Sequence, residues 1–286
     1  MNKKQCNFIV IIFMVFINLS CSKKSVLNEN TIFRYNEHSN ISSLDPAFSN
    51  TLRNIWPVNQ IFNGLVQLDD SLNVKPDLAK SWKISNDGIK YTFLIKKNIF
   101  FHKSKIFGVD STRTVNAYDF EYSLNRLKNP ELGSPGSWVL NNVKNFKAEN
   151  DSIFSINLKN PFAAFLGILT MKYCSAVPKE AIEYYGVKFG KNPIGTGPFK
   201  FKRWEENIKL VLRKNYQYFE KDDNGTRLPY LEAISISLRP DKKSEFMEFA
   251  QDKLDFINSI DSSFKDQLLN VNGDLKKDYK TSFFIY

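Results

Sequence analysis

Short stretches of this chain alternate apolar and polar residues with a period of two, and longer stretches repeat with a helical period. The alternation predicts strands at Ile32–Tyr35, at Leu65–Leu68 running into an Asp69–Asp70 turn, and at Phe154, Ile156 and Leu158. A further strand is expected at Ile234, Ile236 and Leu238, and an apolar Leu254–Ile257 segment follows the helix around Phe246. Trp82–Ser85, the turn Asn86-Asp87-Gly88 and Tyr91–Ile95 read as a hairpin with Tyr91, Phe93 and Ile95 on one face. Helical spacing appears at Leu52–Phe62, interrupted at Pro57 and stopped by Asn63-Gly64. Asn116 caps another helix, with Asp119 completing a capping box and Phe120, Leu124 and Leu127 on the buried side. Shorter helices are predicted at Pro76–Trp82, from Asn160-Pro161 to Leu169, from Pro178 to Gly186, and around Phe246, Phe249 and Ala250. His102–Thr114 and Gly133–Trp138 read as loops.

One stretch is punctuated more heavily than the rest. Pro193-Ile194-Gly195-Thr196-Gly197-Pro198 puts two prolines and two glycines into six residues, which predicts a turn of fixed shape built on the glycines' access to positive φ. Phe199–Lys202 alternates after it, and Ile208, Leu210 and Leu212 alternate again beyond Glu205–Asn207, so a hairpin follows the turn. Gly195-Thr196-Gly197 lacks the Lys-Ser/Thr ending of a phosphate loop and precedes a strand, so it reads as structural.

With 286 residues, 42% of them hydrophobic, the chain can form one or two domains of mixed α/β class with ample core. Its formal charge of +10 comes from 40 Lys and Arg spread among 30 Asp and Glu, with no dense basic block, which reads as a solvated surface and not as a nucleic-acid footprint. The 25 phenylalanines are core formers first. Of three cysteines, Cys6 and Cys21 fall in or just after the leader and Cys174 has no partner, so neither a disulfide framework nor metal-ligand spacing exists. The two histidines, His38 and His102, are isolated, and no Gly-x-Ser-x-Gly nucleophile motif is present. These absences point away from an enzyme, a cofactor and a His-based metal site, although aspartates and glutamates alone could still bind a hard cation.

Lys3 and Lys4 precede the apolar run Phe8–Leu19, too short to span a bilayer stably and suited to a signal peptide over residues 1–20. Leu19-Ser20-Cys21 resembles a bacterial lipobox, which would make Cys21 the lipidated residue; Asn18 stands where that motif prefers Leu, and an ordinary cleavage site near Ser20 is the alternative. Residues 21–30 form a polar tether.

Five blocks, in order, resemble the oligopeptide/dipeptide/nickel class of substrate-binding proteins of bacterial ABC importers. They are Ser43-Leu44-Asp45-Pro46; Asn63-Gly64-Leu65-Val66; Pro76–Trp82 running into Asp87–Phe93; Val115–Leu124; and Asn192–Phe199. The resemblance implies a periplasmic-binding-protein-like, type II, three-domain bilobal receptor that closes by a hinge around its ligand. It further implies a discontinuous domain I over 31–62 and 191–286 and a domain II over 63–190. Domain III is expected to be absent, the chain being truncated before the second lobe; its apolar end, Ser282–Tyr286, looks cut. Fragment and natural truncation both remain open.

The resemblance also implies a function: capture of peptides outside the cytoplasm and delivery to ABC permease subunits, by a monomer held in the periplasm or cell envelope through a lipid anchor at Cys21. A non-binding relic and a lipid-anchored adhesion protein are the alternatives. Trp138, a lone aromatic in a Gly/Pro/Ser loop, is the first candidate for ligand contact, against packing on its own lobe. Tyr35, Asn36, Ser42, Ser43 and Asp45 are further candidates near the lobe boundary. The acidic residue that pairs with a peptide's amino terminus in the family lies on the lobe expected to be absent, so the chain alone is expected to bind peptides feebly. The Pro193–Arg213 stretch is expected to be the crossing from domain II back to domain I and not a binding loop.

Overall fold

A computed structural model describes residues 31–276. The leader, Cys21, the tether and the Ser282–Tyr286 end lie outside the described residues. Two four-stranded sheets and a two-stranded ribbon organise the rest. The first sheet has the order β1-β10-β9-β8: β1 (Ile32–Glu37) lies parallel to β10 (Ala233–Leu238), and β9 (Lys209–Lys214) and β8 (Phe199–Glu205) follow antiparallel. The second has the order β4-β5-β7-β6, antiparallel throughout, from β4 (Ala79–Ile84), β5 (Lys90–Ile95), β6 (Val143–Asn150) and β7 (Ile153–Leu158). β2 (Val66–Leu68) and β3 (Val74–Pro76) form the ribbon. No helix among the described residues is long and apolar enough to cross a membrane.

Period-two patterning decides which face each strand buries. Tyr91, Phe93 and Ile95 of β5 are buried, and Tyr91 and Phe93 stand opposite Ile156 and Phe154 of β7, also buried. Across this face runs α2 (Ala117–Lys128), burying Phe120, Leu124 and Leu127, with the Phe120 and Phe154 rings 5.9 Å apart. Each such side chain removed from water contributes about 1.5–3 kcal/mol. The Asn116 capping box forms as expected: Asn116 accepts from Tyr118 N, and Asp119 Oδ2 accepts from Asn116 N at 2.9 Å. In the first sheet Leu210 and Leu212 oppose Ile236 and Ile234, and all four are buried. Ile208 does not share that face; it sits in the hairpin turn, 61% exposed, beside Asn207 at φ 59°.

Long-range bonds override local signals in two places, and packing overrides one in a third. The Pro76–Trp82 stretch is extended, not helical: Leu78 N donates to Gly64 O and Ala79 N to Leu65 O, and Asp77 accepts from Gly64 N at 2.9 Å. The helix expected from Asn160-Pro161 begins only at α3 (Phe165–Leu169), because Asn160 O and N bond the Asn142 side chain instead of capping. And α1 (Leu52–Ile61) passes through Pro57 without a break. Pro57, Val58 and Ile61 are all buried, and their packing offsets the backbone bond a proline cannot make. The helices α4 (Lys179–Tyr185), ended by Gly186, and α5 (Lys242–Ala250) lie where the pattern puts them. A four-residue α6 (Lys265–Leu268) follows.

Pro193–Pro198 is a tight turn for a reason other than positive φ. Neither Gly195 nor Gly197 has φ above zero. A Cβ on either would collide with the Gln60–Ile61 backbone at the end of α1, so both are small because two backbones approach closely there. Gly197 N donates to Ile61 O at 2.8 Å. Buried His102 fastens the other side: its Nε2 donates to Gly197 O at 2.9 Å, and its Nδ1 accepts from Gly195 N at 3.3 Å. That pairing requires the neutral ring with the proton on Nε2. Burial, against the pull of the Gly197 bond, lowers the His102 pKa to about 4.

Candidate functional site

The Ser42–Asp45 segment leads into a 3₁₀ turn at Pro46–Phe48 at the foot of α1. Asp45 Oδ1 accepts from Ala47 N at 3.0 Å and so caps this turn. Arg126, near the end of α2, grips both Asp45 oxygens, with Nη1–Oδ1 at 2.8 Å. Ser43 Oγ accepts from Asp45 N, and the Ser42 hydroxyl accepts from Asn54 Nδ2 at 2.8 Å. The segment is therefore held by its own polar side chains.

The Gly133–Trp138 loop is anchored to the same turn. Ser134 Oγ donates to Ala47 O at 2.6 Å and accepts from Gly136 N at 3.0 Å. Gly136 lies so close to the Tyr173 ring that any Cβ would overlap it. The 3₁₀ turn Ser137–Leu140 then buries Val139 and Leu140 and leaves Trp138 45% exposed. The Lys172–Cys174 turn, which carries Tyr173, packs on Pro46–Phe48, and α1 packs on both turns. Met171 and Leu52, at the entries to that turn and that helix, are exposed apolar side chains as well. Ser42, Ser43 and Asp45 thus lead into one turn, and the loop that carries Trp138 is bonded to the same turn through Ser134. An exposed aromatic on an anchored loop is suited to meet a ligand or partner.

Tyr35 and Asn36 stand elsewhere. Asn36 is buried and fully engaged: Nδ2 donates to Arg239 O and to Glu245 Oε1, and Oδ1 accepts from Arg239 N. Tyr35 lines an aromatic cavity of about 370 Å³ between the first sheet and α1, with Phe33, Trp56 and Phe256. Its ring meets Trp56 edge-on at 6.0 Å, and Trp56 meets Phe256 at 6.2 Å. Burial raises the Tyr35 pKa, so the phenol stays neutral. Cys174 is buried, and burial pushes its thiol up to about 12, far from a reactive thiolate. Among the described residues no group of three or more His, Cys, Asp and Glu side chains is placed to hold a metal ion.

Sequence reasoning missed Met171, Tyr173 and Leu52. Met171 and Leu52 look like ordinary core residues in the pattern, and only their exposure separates them. For Tyr173 a signal existed: a second glycine in Gly133-Ser-Pro-Gly136 marks a close approach as well as a turn.

The model of the bacterial extracellular solute-binding proteins, family 5 Middle, matches residues 73–286. Among curated proteins, the glutathione-binding protein GsiB of Salmonella choleraesuis is 27% identical over 197 residues, 69% of this chain and 36% of the relative. GsiB of Shigella flexneri is 28% identical over the same span. Among solved structures, the periplasmic binding protein DppA of Helicobacter pylori, in complex with the peptide STSA, superposes with a TM-score of 0.74 at 26% identity. It covers 83% of this chain, and the chain covers 48% of it. A periplasmic oligopeptide-binding protein of Borrelia burgdorferi gives a TM-score of 0.72 at 27% identity, with 83% and 49% covered. The chain has the fold of these periplasmic binding proteins and spans about half the length of the solved relatives and 36% of the curated ones.

Proposed function

Because the chain belongs to the bacterial extracellular solute-binding proteins of family 5, we propose that it captures peptides outside the cytoplasm and hands them to the permease of an ABC importer. It acts by binding and not by catalysis. The peptide ligand in the H. pylori neighbour favours peptides over other solutes. The observation that carries the reading is Trp138: a half-exposed indole on a loop that Ser134 bonds to Ala47. An apolar wall of this kind grips side chains while a second wall closes over them.

On this reading residues 31–62 and 191–286 form one domain and 63–190 another. The strand origins support that division: β1, β8, β9 and β10 make one sheet, and β4–β7 make the other. The Pro193–Pro198 turn is then the crossing between them, and its glycines serve packing and not ligand chemistry. Cys21 is the lipidation site that holds a monomer to the membrane on the outer side.

The test is uptake. Cells that depend on peptides as their only amino-acid source should grow with the intact gene and fail without it; growth unaffected by its loss would favour the adhesion reading. Trp138→Ala should lower uptake at limiting peptide at least about tenfold, a loss of about 1.4 kcal/mol of binding, with thermal stability unchanged. Uptake that ignores Trp138 would remove this face from the site. Cys21→Ser should release the protein from membranes while leaving peptide binding in place; a variant that stays membrane-bound would refute the anchor.

A further inference from the structure

A second cavity of about 370 Å³ lies on the far side of α1 from its first turn, lined by Asn59, Gln60, Lys172, Tyr218 and Glu220 among others. Gln60, Phe199 and Leu231 line both this cavity and the aromatic one containing Tyr35 and Trp56, so a polar chamber opens beside an apolar one. The polar chamber is lined by side chains of both charges, Lys172 and Glu220. Lys172 is half-buried, and among the described residues no carboxylate oxygen lies within ion-pair distance of its Nζ. Burial lowers its pKa, and the buried Asp77 behind it is the main group favouring its charge. Asp77 is engaged on the other side, accepting from Asn63 Nδ2 and Gly64 N, both at 2.9 Å, and burial pushes its pKa up to about 7. Glu220 is positioned by two donors, Gln67 Nε2 at 2.6 Å and Tyr218 OH at 3.0 Å, one on each oxygen, which leaves acceptor capacity on both. The side chains of Asn59 and Gln60 take part in none of the hydrogen bonds found among the described residues and line the chamber.

We propose that this chamber binds a free apolar α-amino acid, with the carboxylate on Lys172 and the amide groups of Asn59 and Gln60, the ammonium on Glu220, and the side chain directed past Phe199 and Leu231 toward the aromatic cavity. An ammonium with no carboxylate oxygen within ion-pair distance gains a charge-assisted bond from an incoming carboxylate. Two poles of opposite sign in one chamber favour a zwitterion over a simple anion. The apolar neighbour chamber favours leucine-like or phenylalanine-like side chains. The site is separate from the Trp138 face and does not depend on its role.

Calorimetry on the full chain with L-leucine and L-phenylalanine tests this. Both should bind. Leucinamide, which lacks the carboxylate, and N-acetyl-leucine, which lacks the ammonium, should bind at least about tenfold more weakly. Lys172→Met should weaken leucine at least about tenfold while Trp138→Ala leaves it unchanged. Should Lys172→Met fail to fold, Glu220→Gln together with the ligand series decides the matter. No heat from leucine or phenylalanine at millimolar concentration overturns the proposal. So does equal binding of leucinamide, and so does loss of binding in Trp138→Ala with Lys172→Met unaffected.

Discussion

His102 shows how much one side chain can fix. It reads in sequence as an isolated histidine after two phenylalanines, and the structure turns it into the fastener of the Pro193–Pro198 turn, with both ring nitrogens bonded to glycine backbone. Its pKa falls from 6.5 to about 4 on folding, so the unfolded chain takes up the proton first as the pH drops. Stability from this group is complete above pH 6.5 and is lost as the pH falls toward 4, by about 2–3 kcal/mol at pH 4.5. Asp77 works in the opposite sense. Its pKa rises from 3.8 to about 7, so folding favours its protonated form and stability from it grows as the pH falls through 7. The native protein therefore has a flattened acid response, and His102→Gln should remove only one of the two opposing slopes. Urea unfolding at pH 7 and pH 4.5 measures this: native protein should lose about 2–3 kcal/mol more than the variant over that interval. Identical slopes would show that His102 titrates normally. A simpler check is Gly195→Ala, which should cost at least about 2 kcal/mol, because the new methyl meets the Ile61 backbone, which cannot swing aside.

At the scale of elements, Arg113 ties helix starts together. Its guanidinium bonds Asp119 at 2.9 and 2.7 Å in the first turn of α2 and Glu180 at 2.6 and 2.7 Å in the first turn of α4, and it lies 4.9 Å over the Phe101 ring. Burial works against its charge, and the two carboxylates more than offset that, raising its pKa. Arg113→Ala leaves Asp119 buried beside Glu180 without a cation and should cost about 3–5 kcal/mol. Adding Asp119→Asn should recover part of that loss, since it removes the stranded charge. A strictly additive double variant, measured by thermal unfolding, would show that the bridge contributes nothing beyond its parts. The sequence made the α2 half of this arrangement legible, because a capping box is local. The α4 half was illegible: nothing near Arg113 names Glu180, which is 67 residues away. The same division runs through the fold. Hairpins and capped helices were readable from neighbours in sequence. Pro76–Trp82 and Asn160 carry real helix-start chemistry, yet Gly64, Leu65 and Asn142 claim their polar groups from a distance. Candidate site residues divide likewise: Trp138 stands out by its loop, while Met171 and Leu52 are distinguished only by their exposure.

At the scale of the molecule, the question is how much of a ligand these residues can enclose. A tight small-molecule site buries roughly 70–90% of its ligand. Trp138 instead faces solvent, so a peptide laid on it is covered from one side. The solved relatives that share this fold are about twice as long, this chain matching 48–49% of them. Apolar contact on one side must still offset about 4–15 kcal/mol of lost translational and rotational freedom, plus the ordering of a flexible peptide. With contact on one side only, little surplus remains. The 286-residue chain on its own should therefore bind peptides more weakly than micromolar, above about −8 kcal/mol. The small zwitterion chamber is exempt from this argument, because its lining comes from α1, β2, the Lys172 turn and the segment around Glu220 within the described residues. Calorimetry on one preparation separates the two: amino acid should bind where peptide scarcely does. Micromolar or tighter peptide binding by these 286 residues would show that one face suffices and that closure by a second wall is not what gives this fold its affinity.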